Sequence, residues 1–178
     1  MAEAFSNKLT RAAGIVSTSS AGSIGIQTNL ITGISTVDVT VNQLIDNSNY
    51  ILGTKVSSVG ASQVVVDRDS TNTSATSSQS VKFLGVTTAY TSTGTKSILV
   101  GGTFANNTTS SVNLTINVFD NSASAEVGLA ANIPVPQGSS FVISDTGKTV
   151  LESSDEVRIY CDTANAIDAT LSVLTGVS

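Results

Sequence analysis

The chain has 178 residues, of which 40% are hydrophobic but only 4% are aromatic, and tryptophan is absent. Its interior must therefore be built from Val, Ile, Leu and Ala. Charged residues make up 12%, about half the level of ordinary soluble domains, and the net charge is −5 with no basic cluster. Because nucleic-acid surfaces need clustered Lys and Arg, we expect no nucleic-acid partner.

Histidine is absent, which removes the Ser-His-Asp and Cys-His catalytic arrangements and the usual zinc ligands. The Gly-Lys-Thr sequence at residues 147–149 is similar to the end of a phosphate-binding loop. Val142, however, occupies the position of the first glycine of that motif. We therefore interpret residues 147–149 as part of a hairpin turn.

Two groups of carboxylates offer oxygen atoms to Ca²⁺. One consists of Asp67 and Asp69, and the other of Glu152, Asp155 and Glu156. Neither group follows the EF-hand spacing with its central glycine, so we prefer to interpret them as solvated loop carboxylates. The sequence predicts a protein that is not an enzyme and has no catalytic residues, no cofactor and no metal site.

Two features of the sequence indicate the cellular compartment in which the protein is made. No run reaches the roughly 18 apolar residues of a spanning helix, and the first residues lack the apolar region of a signal peptide. We therefore expect synthesis in a cytoplasm and no membrane partner. Cys161 is the one cysteine, and it alternates in phase with Val157 and Ile159, which predicts a buried thiol in a strand.

Residues 1–23 are predicted to form an N-terminal arm, because they end in a Ser/Gly-rich run with little to bury. If the start is helical, Phe5 and Leu9 form one apolar ridge, and Lys8 and Arg11 can face an acidic neighbour. We expect these four residues to dock on another protein chain. The alternative is an arm folded back along its own domain as an extra edge strand.

Residues 24–80 are predicted to form a small β-barrel or meander followed by a polar linker. Short apolar segments at 31–41, 44–45, 50–59 and 62–66 are separated by glycines and by polar clusters. Residues 67–80 have almost no apolar side chain to bury, which is typical of a loop or linker.

Residues 81–178 show the spacing of a β-sandwich, Ig-like or jelly-roll-like. The predicted strands are 81–86, 96–106, 111–119, 126–131, 139–143, 156–162 and 167–174. Asp145-Thr146-Gly147 has the chemistry of a short hairpin loop, so we expect the strands on either side of residues 145–147 to form a hairpin. The whole chain is thus predicted to be all-β.

Several segments of residues 86–178 resemble the β-sandwich module of tailed-phage virion proteins, especially those of marine and cyanobacterial phages. They include Ile-Pro-Val-Pro-Gln-Gly-Ser-Ser (133–140), Val-Leu-Glu-Ser-Ser-Asp-Glu-Val-Arg-Ile (150–159) and the closing Ala-Asn-Ala-Ile-Asp-Ala-Thr-Leu-Ser-Val-Leu (164–174). Phe-Ser-Asn-Lys-Leu-Thr-Arg (5–11) is similar to the arm that often precedes this module. Residues 31–67 resemble a small β-unit that recurs in phage fibre and capsid-associated proteins.

The resemblance implies a structural protein of the virion, made in the host cytoplasm and bound to other virion proteins of capsid, neck or tail. The first hypothesis is a capsid decoration subunit or another particle-surface subunit that forms a homo-oligomer. The alternatives are a neck, tail or fibre appendage subunit and an adhesin-like module that binds a host-surface glycan. Binding to particles would support the structural roles, whereas saturable binding to a host envelope polysaccharide would support the adhesin-like module.

Overall fold

The computed structural model describes residues 3–94 and 96–177, with residues 145–147 described in backbone only. Within these ranges the chain forms strands and no helix, so the all-β prediction is confirmed. The strands are β1 (Ala4–Ala13), β2 (Val16–Ile24), β3 (Leu30–Thr32), β4 (Leu44–Asp46), β5 (Val56–Val59), β6 (Gln63–Val66) and β7 (Thr76–Leu84). They continue as β8 (Thr87–Thr91), β9 (Lys96–Asn106), β10 (Val112–Asp120), β11 (Ala125–Val135), β12 (Ser140–Glu152), β13 (Glu156–Cys161) and β14 (Ile167–Val177).

The chain divides into two compact units. The sandwich unit comprises Met1–Ala13, Val86–Cys161 and Asn165–Ser178, and the barrel unit comprises Gly14–Gly85 and Asp162–Ala164. This division differs from the predicted boundaries at residues 23 and 80. The reason is that the predicted arm and part of the predicted linker are strands that pair within one unit or the other.

The prediction of an arm at residues 1–23 is corrected over the residues described. β1 pairs antiparallel with β14 at the edge of a sheet in the sandwich unit, and β2 pairs with β3 and β7 in the barrel unit. Backbone pairing satisfies the polar groups of both segments without a large apolar face. For Ala4–Ala13, the alternative of an extra edge strand is therefore the observed structure.

Two four-stranded sheets form the sandwich unit, in the orders β1-β14-β9-β12 and β11-β10-β13-β8. The central strands turn alternate residues inward, and the inner faces of the two sheets share one hydrophobic core. Leu99, Phe104 and Leu171 come from the first sheet, and Ile116 and Ile159 from the second. The finer prediction of an Ig-like or jelly-roll-like arrangement stays a prediction.

The hairpin predicted around residues 145–147 is not formed. β12 continues through these residues and pairs with β9, with a register shift between Ser144 and Thr149. The chain turns after Glu152, and β13 then pairs with β10 and β8 in the other sheet. The Asp-Thr-Gly chemistry thus marks an irregularity inside a strand, which is a common use of residues that tolerate unusual backbone angles.

Six strands form the sheet of the barrel unit, in the order β4-β7-β2-β3-β6-β5. Its first and last strands also meet, because Val56 N–H donates to the Gln43 carbonyl and Ile45 N–H donates to the Thr54 carbonyl, both at 2.9 Å. The sheet therefore closes on itself around a core that includes Ile31. Closure removes the free edges that a small open sheet would leave.

The predicted linker at residues 67–80 also needs correction. Residues 76–80 belong to β7, where Ser80 faces Ala21 and Gln79 faces Gly22 on β2. The strand is fixed by Val81 and Phe83, which are fully buried in the barrel core. Two neighbouring hydroxyl-rich strands can pair because their outward side chains remain in water.

Candidate functional site

Three of the four residues predicted to dock on a partner lie on the free face of β1. Phe5 and Leu9 are 72% and 75% exposed, unusually high values for large apolar side chains. Arg11 is exposed on the same face. Since side chains alternate in a strand, residues 5, 9 and 11 share one side, as 5 and 9 would also have done on a helix.

Lys8 departs from the prediction, because it lies on the opposite side of β1. Its Nζ sits 5.8 Å from the centre of the Tyr90 ring, within the range of a cation–π contact. The inner face of β1 is further held by the Thr10 hydroxyl, which donates to the Ala89 carbonyl at 3.3 Å. Lys8 therefore belongs to the packing of the sandwich, whereas the other three residues face outward.

The register of the four strands extends the outward face of β1 into an apolar row across the whole sheet. Facing pairs place four apolar side chains in line, namely Phe5, Leu174, Ile98 and Val150. Val150 is 53% exposed, and the two middle members are half-buried. We call these four residues the apolar row. The sequence reasoning found its first member and missed the other three, because their alignment depends on the pairing of distant strands.

A second line of facing residues runs parallel to the apolar row. Leu9 faces Thr170, Thr170 faces Thr103, and Thr103 faces Val142. Val142 is 52% exposed. The outer face of the sheet β1-β14-β9-β12 is thus apolar at both edges and carries only hydroxyl groups in the middle of this line, which is the composition of a surface that another protein can cover.

The outer face of the other sheet is built differently. Arg158 Nη1 lies 2.8 Å from Glu126 Oε1, and Arg158 Nε donates to Glu156 Oε2 at 2.8 Å. The Tyr160 hydroxyl and the Asn117 amide also donate to the Glu126 carboxylate. These contacts tie the edge strand β11 to β13 across β10. Sequence reasoning gave no indication of this cluster, since its residues lie far apart in the chain.

The charged and polar groups of this cluster pair with and hydrogen-bond to one another. Burial raises the pKa of Glu126, but the hydrogen bonds from Tyr160 and Arg158 outweigh it and hold the pKa below its usual value. Burial, together with the hydrogen bond to Glu126, raises the pKa of Tyr160. Arg158 also stacks 3.7 Å from the centre of the Phe119 ring. We therefore assign the cluster a structural role.

The other candidate residues named from the sequence lie at positions that the fold itself explains. Cys161 is fully buried beside Val157 and Ile159, as predicted. Asp155 is 6% exposed, which corrects its interpretation as a solvated loop carboxylate. Among the described residues, no group of three or more Cys, Asp or Glu side chains is arranged to hold a metal ion. Lys148 lies in a strand, not at the start of a helix as a phosphate-binding loop requires.

A shallow depression of about 500 Å³ lies on the barrel unit at the ends of β2, β3 and β7. Its described lining includes no aromatic side chain and five hydroxyl-bearing residues, Ser23, Thr28, Thr32, Thr76 and Ser77. Sugar-binding sites usually offer an aromatic face on which the apolar side of a sugar can stack. The depression therefore supplies hydrogen-bonding groups without that face.

In the described part of the chain, no helix is long and apolar enough to cross a membrane. The sequence matches no protein-family model, and comparison with curated proteins and with solved structures gave no significant match.

Proposed function

We propose that this chain is a non-enzymatic structural subunit of a tailed-phage particle. In the form we favour, it is a capsid decoration subunit or another subunit of the particle surface that acts through protein–protein contacts. The resemblance of residues 86–178 to phage sandwich modules suggests the setting. The observation that carries the proposal is the apolar row, exposed across the outer face of a four-stranded sheet.

The apolar row and Leu9 supply enough apolar surface to drive an association. Complete burial of a Leu or Phe side chain contributes about 1.5 to 3 kcal/mol, so Phe5 and Leu9 together contribute about 3 to 6 kcal/mol. That range spans the difference between millimolar and micromolar binding, about 4 kcal/mol. Repetition of one subunit over a particle would add avidity to a contact of this strength.

The proposal is tested by co-sedimentation of the purified chain with particles of its virus assembled without this subunit. We expect saturable binding by the wild type, and a loss of affinity of at least about tenfold for the double variant Phe5→Ser, Leu9→Ser. Val37→Ser is the matched control, because Val37 is 69% exposed on the barrel unit. Equal binding by the double variant and the control contradicts the role of this face.

A neck, tail or fibre subunit would bind through the same face. The place on the particle where the chain binds distinguishes such a subunit from a capsid subunit. The adhesin-like alternative relies instead on the hydroxyl groups of the depression in the barrel unit. It predicts saturable binding to host envelope polysaccharide that is lost on Thr28→Val and kept in the Phe5→Ser, Leu9→Ser variant. Absence of polysaccharide binding by the wild type rules it out.

A further inference from the structure

The outward residues of β1 form a self-complementary series. From the residue before the strand they run Glu3, Phe5, Asn7, Leu9 and Arg11, that is, acidic, apolar, amide, apolar, basic. If this strand is placed antiparallel to a copy of itself about Asn7, Glu3 faces Arg11 and Phe5 faces Leu9. Asn7 then faces the other Asn7. Every outward residue meets a residue of matching chemistry.

We propose that two copies of this chain associate through β1, edge to edge and antiparallel, with the two-fold axis at Asn7. The occupant of the free edge of β1 is thus a second copy of the chain. The contact is isologous, because both copies contribute the same surface: residue i of the first copy faces residue j of the second, and residue j of the first faces residue i of the second. The dimer joins two four-stranded sheets into one continuous sheet of eight strands.

The position of β1 allows this pairing. β1 is the terminal strand in the order β1-β14-β9-β12, so its backbone is paired with β14 on one side. Residues Ala4 to Thr10 pair with β14 one for one, and the irregularity begins after Thr10. Ala12 has a positive φ of 54° and its N–H donates to Asp168 Oδ1. A regular strand of seven residues is therefore available, centred on Asn7.

The inner side of the pair also matches. In the same register Ser6 faces Lys8 of the second copy, so the two lysines do not oppose each other. The Ser6 hydroxyl is buried and has no hydrogen-bond partner within the described residues. A buried polar group without a partner is costly, and the pairing brings the polar residue Lys8 of the second copy opposite Ser6. Lys8, whose ammonium lies over the Tyr90 ring of its own copy, thus faces a serine and not another lysine.

The dimer goes beyond the proposed function and does not depend on it, because it concerns two copies and no other protein. It also enlarges the proposed binding face. Phe5 of one copy faces Leu9 of the other, so the apolar row of each copy continues into the second line, from Leu9 to Val142, of the other. A partner would then meet a doubled apolar surface.

Disulfide formation at the two-fold axis tests the register. Facing Cα atoms of an antiparallel pair are about 4.5 to 5.5 Å apart, within the range of a disulfide. In Asn7→Cys the two introduced thiols face each other, and we expect a covalent dimer on mild oxidation. In the control Arg11→Cys they are eight positions apart, about 26 Å, and no covalent dimer is expected. The native Cys161 is buried and does not interfere.

The outcomes are distinct. A covalent dimer of Asn7→Cys and none of Arg11→Cys supports the proposal. Equal cross-linking of both variants, or none of either, overturns it. The assay contains no virus particles, so a negative result here leaves the proposed virion role intact, and failed particle binding leaves the dimer intact.

A charge exchange tests the same register without cysteine. Glu3→Lys or Arg11→Glu alone places like charges opposite each other at two points, and the dimer dissociation constant measured by sedimentation should rise roughly tenfold. The combined variant restores opposite charges at both points and should regain wild-type association. Failure of the combined variant to recover contradicts the pairing of residue 3 with residue 11.

Discussion

At the scale of single residues, the environment decides the role of each chemical group. Asp155 had the appearance of a solvated loop carboxylate, yet it accepts from the backbone N–H groups of Glu152 and Asn121 at 2.9 and 3.0 Å. It therefore ties the turn between β12 and β13 to the turn after β10. Neither turn is near the other in sequence, so residue chemistry suggested a polar loop and could not reveal the contact.

Asp155→Ala should lower the free energy of unfolding by about 1 to 3 kcal/mol, since two partly buried backbone N–H groups lose their acceptor. The measurement is equilibrium denaturation in urea. Glu152→Gln is the control, because Glu152 is exposed and pairs with Lys96 at 3.3 Å in a surface ion pair. Equal small effects of the two variants would mean that Asp155 does not hold the turns.

At the scale of elements, strands with clear apolar alternation were predictable and strands without it were not. The prediction of 96–106 agrees with β9, and that of 156–162 agrees with β13 to within one residue. β1 and β2 were missed because neither shows the apolar alternation of a half-buried strand: β1 turns Ser6, Lys8 and Thr10 inward, and β2 is rich in Ser. β1 pairs with the last strand of the chain, a partner that local sequence cannot indicate.

Deletion of residues 2–12 tests the assignment of β1 to the sandwich unit. It removes most of the backbone pairing with β14 and opens the core beside Ala13, which is fully buried. We expect a loss of about 3 to 5 kcal/mol and a fall in melting temperature of about 10 °C. The double variant Phe5→Ser, Leu9→Ser keeps the backbone pairing and should melt near the wild type. An unchanged melting temperature after deletion would restore the interpretation of an independent arm.

At the scale of the whole molecule, the fold class was predictable from composition and strand spacing. The low charge, the abundant β-branched residues and the regular placement of glycines indicated an all-β chain, and the structure confirms it. The candidate site was predictable in part. Phe5, Leu9 and Arg11 face outward as a docking surface requires. Leu174, Ile98 and Val150 join Phe5 only because four strands that are distant in sequence lie side by side.

The proposed role depends on this outer face of the sheet β1-β14-β9-β12, which exposes apolar side chains although it belongs to a well-packed unit. A density map of the particle, with the chain located in it, tests that role most directly. We predict that the apolar row contacts another virion protein and is withdrawn from solvent. A map in which the row faces solvent while another surface makes the contact would contradict the account.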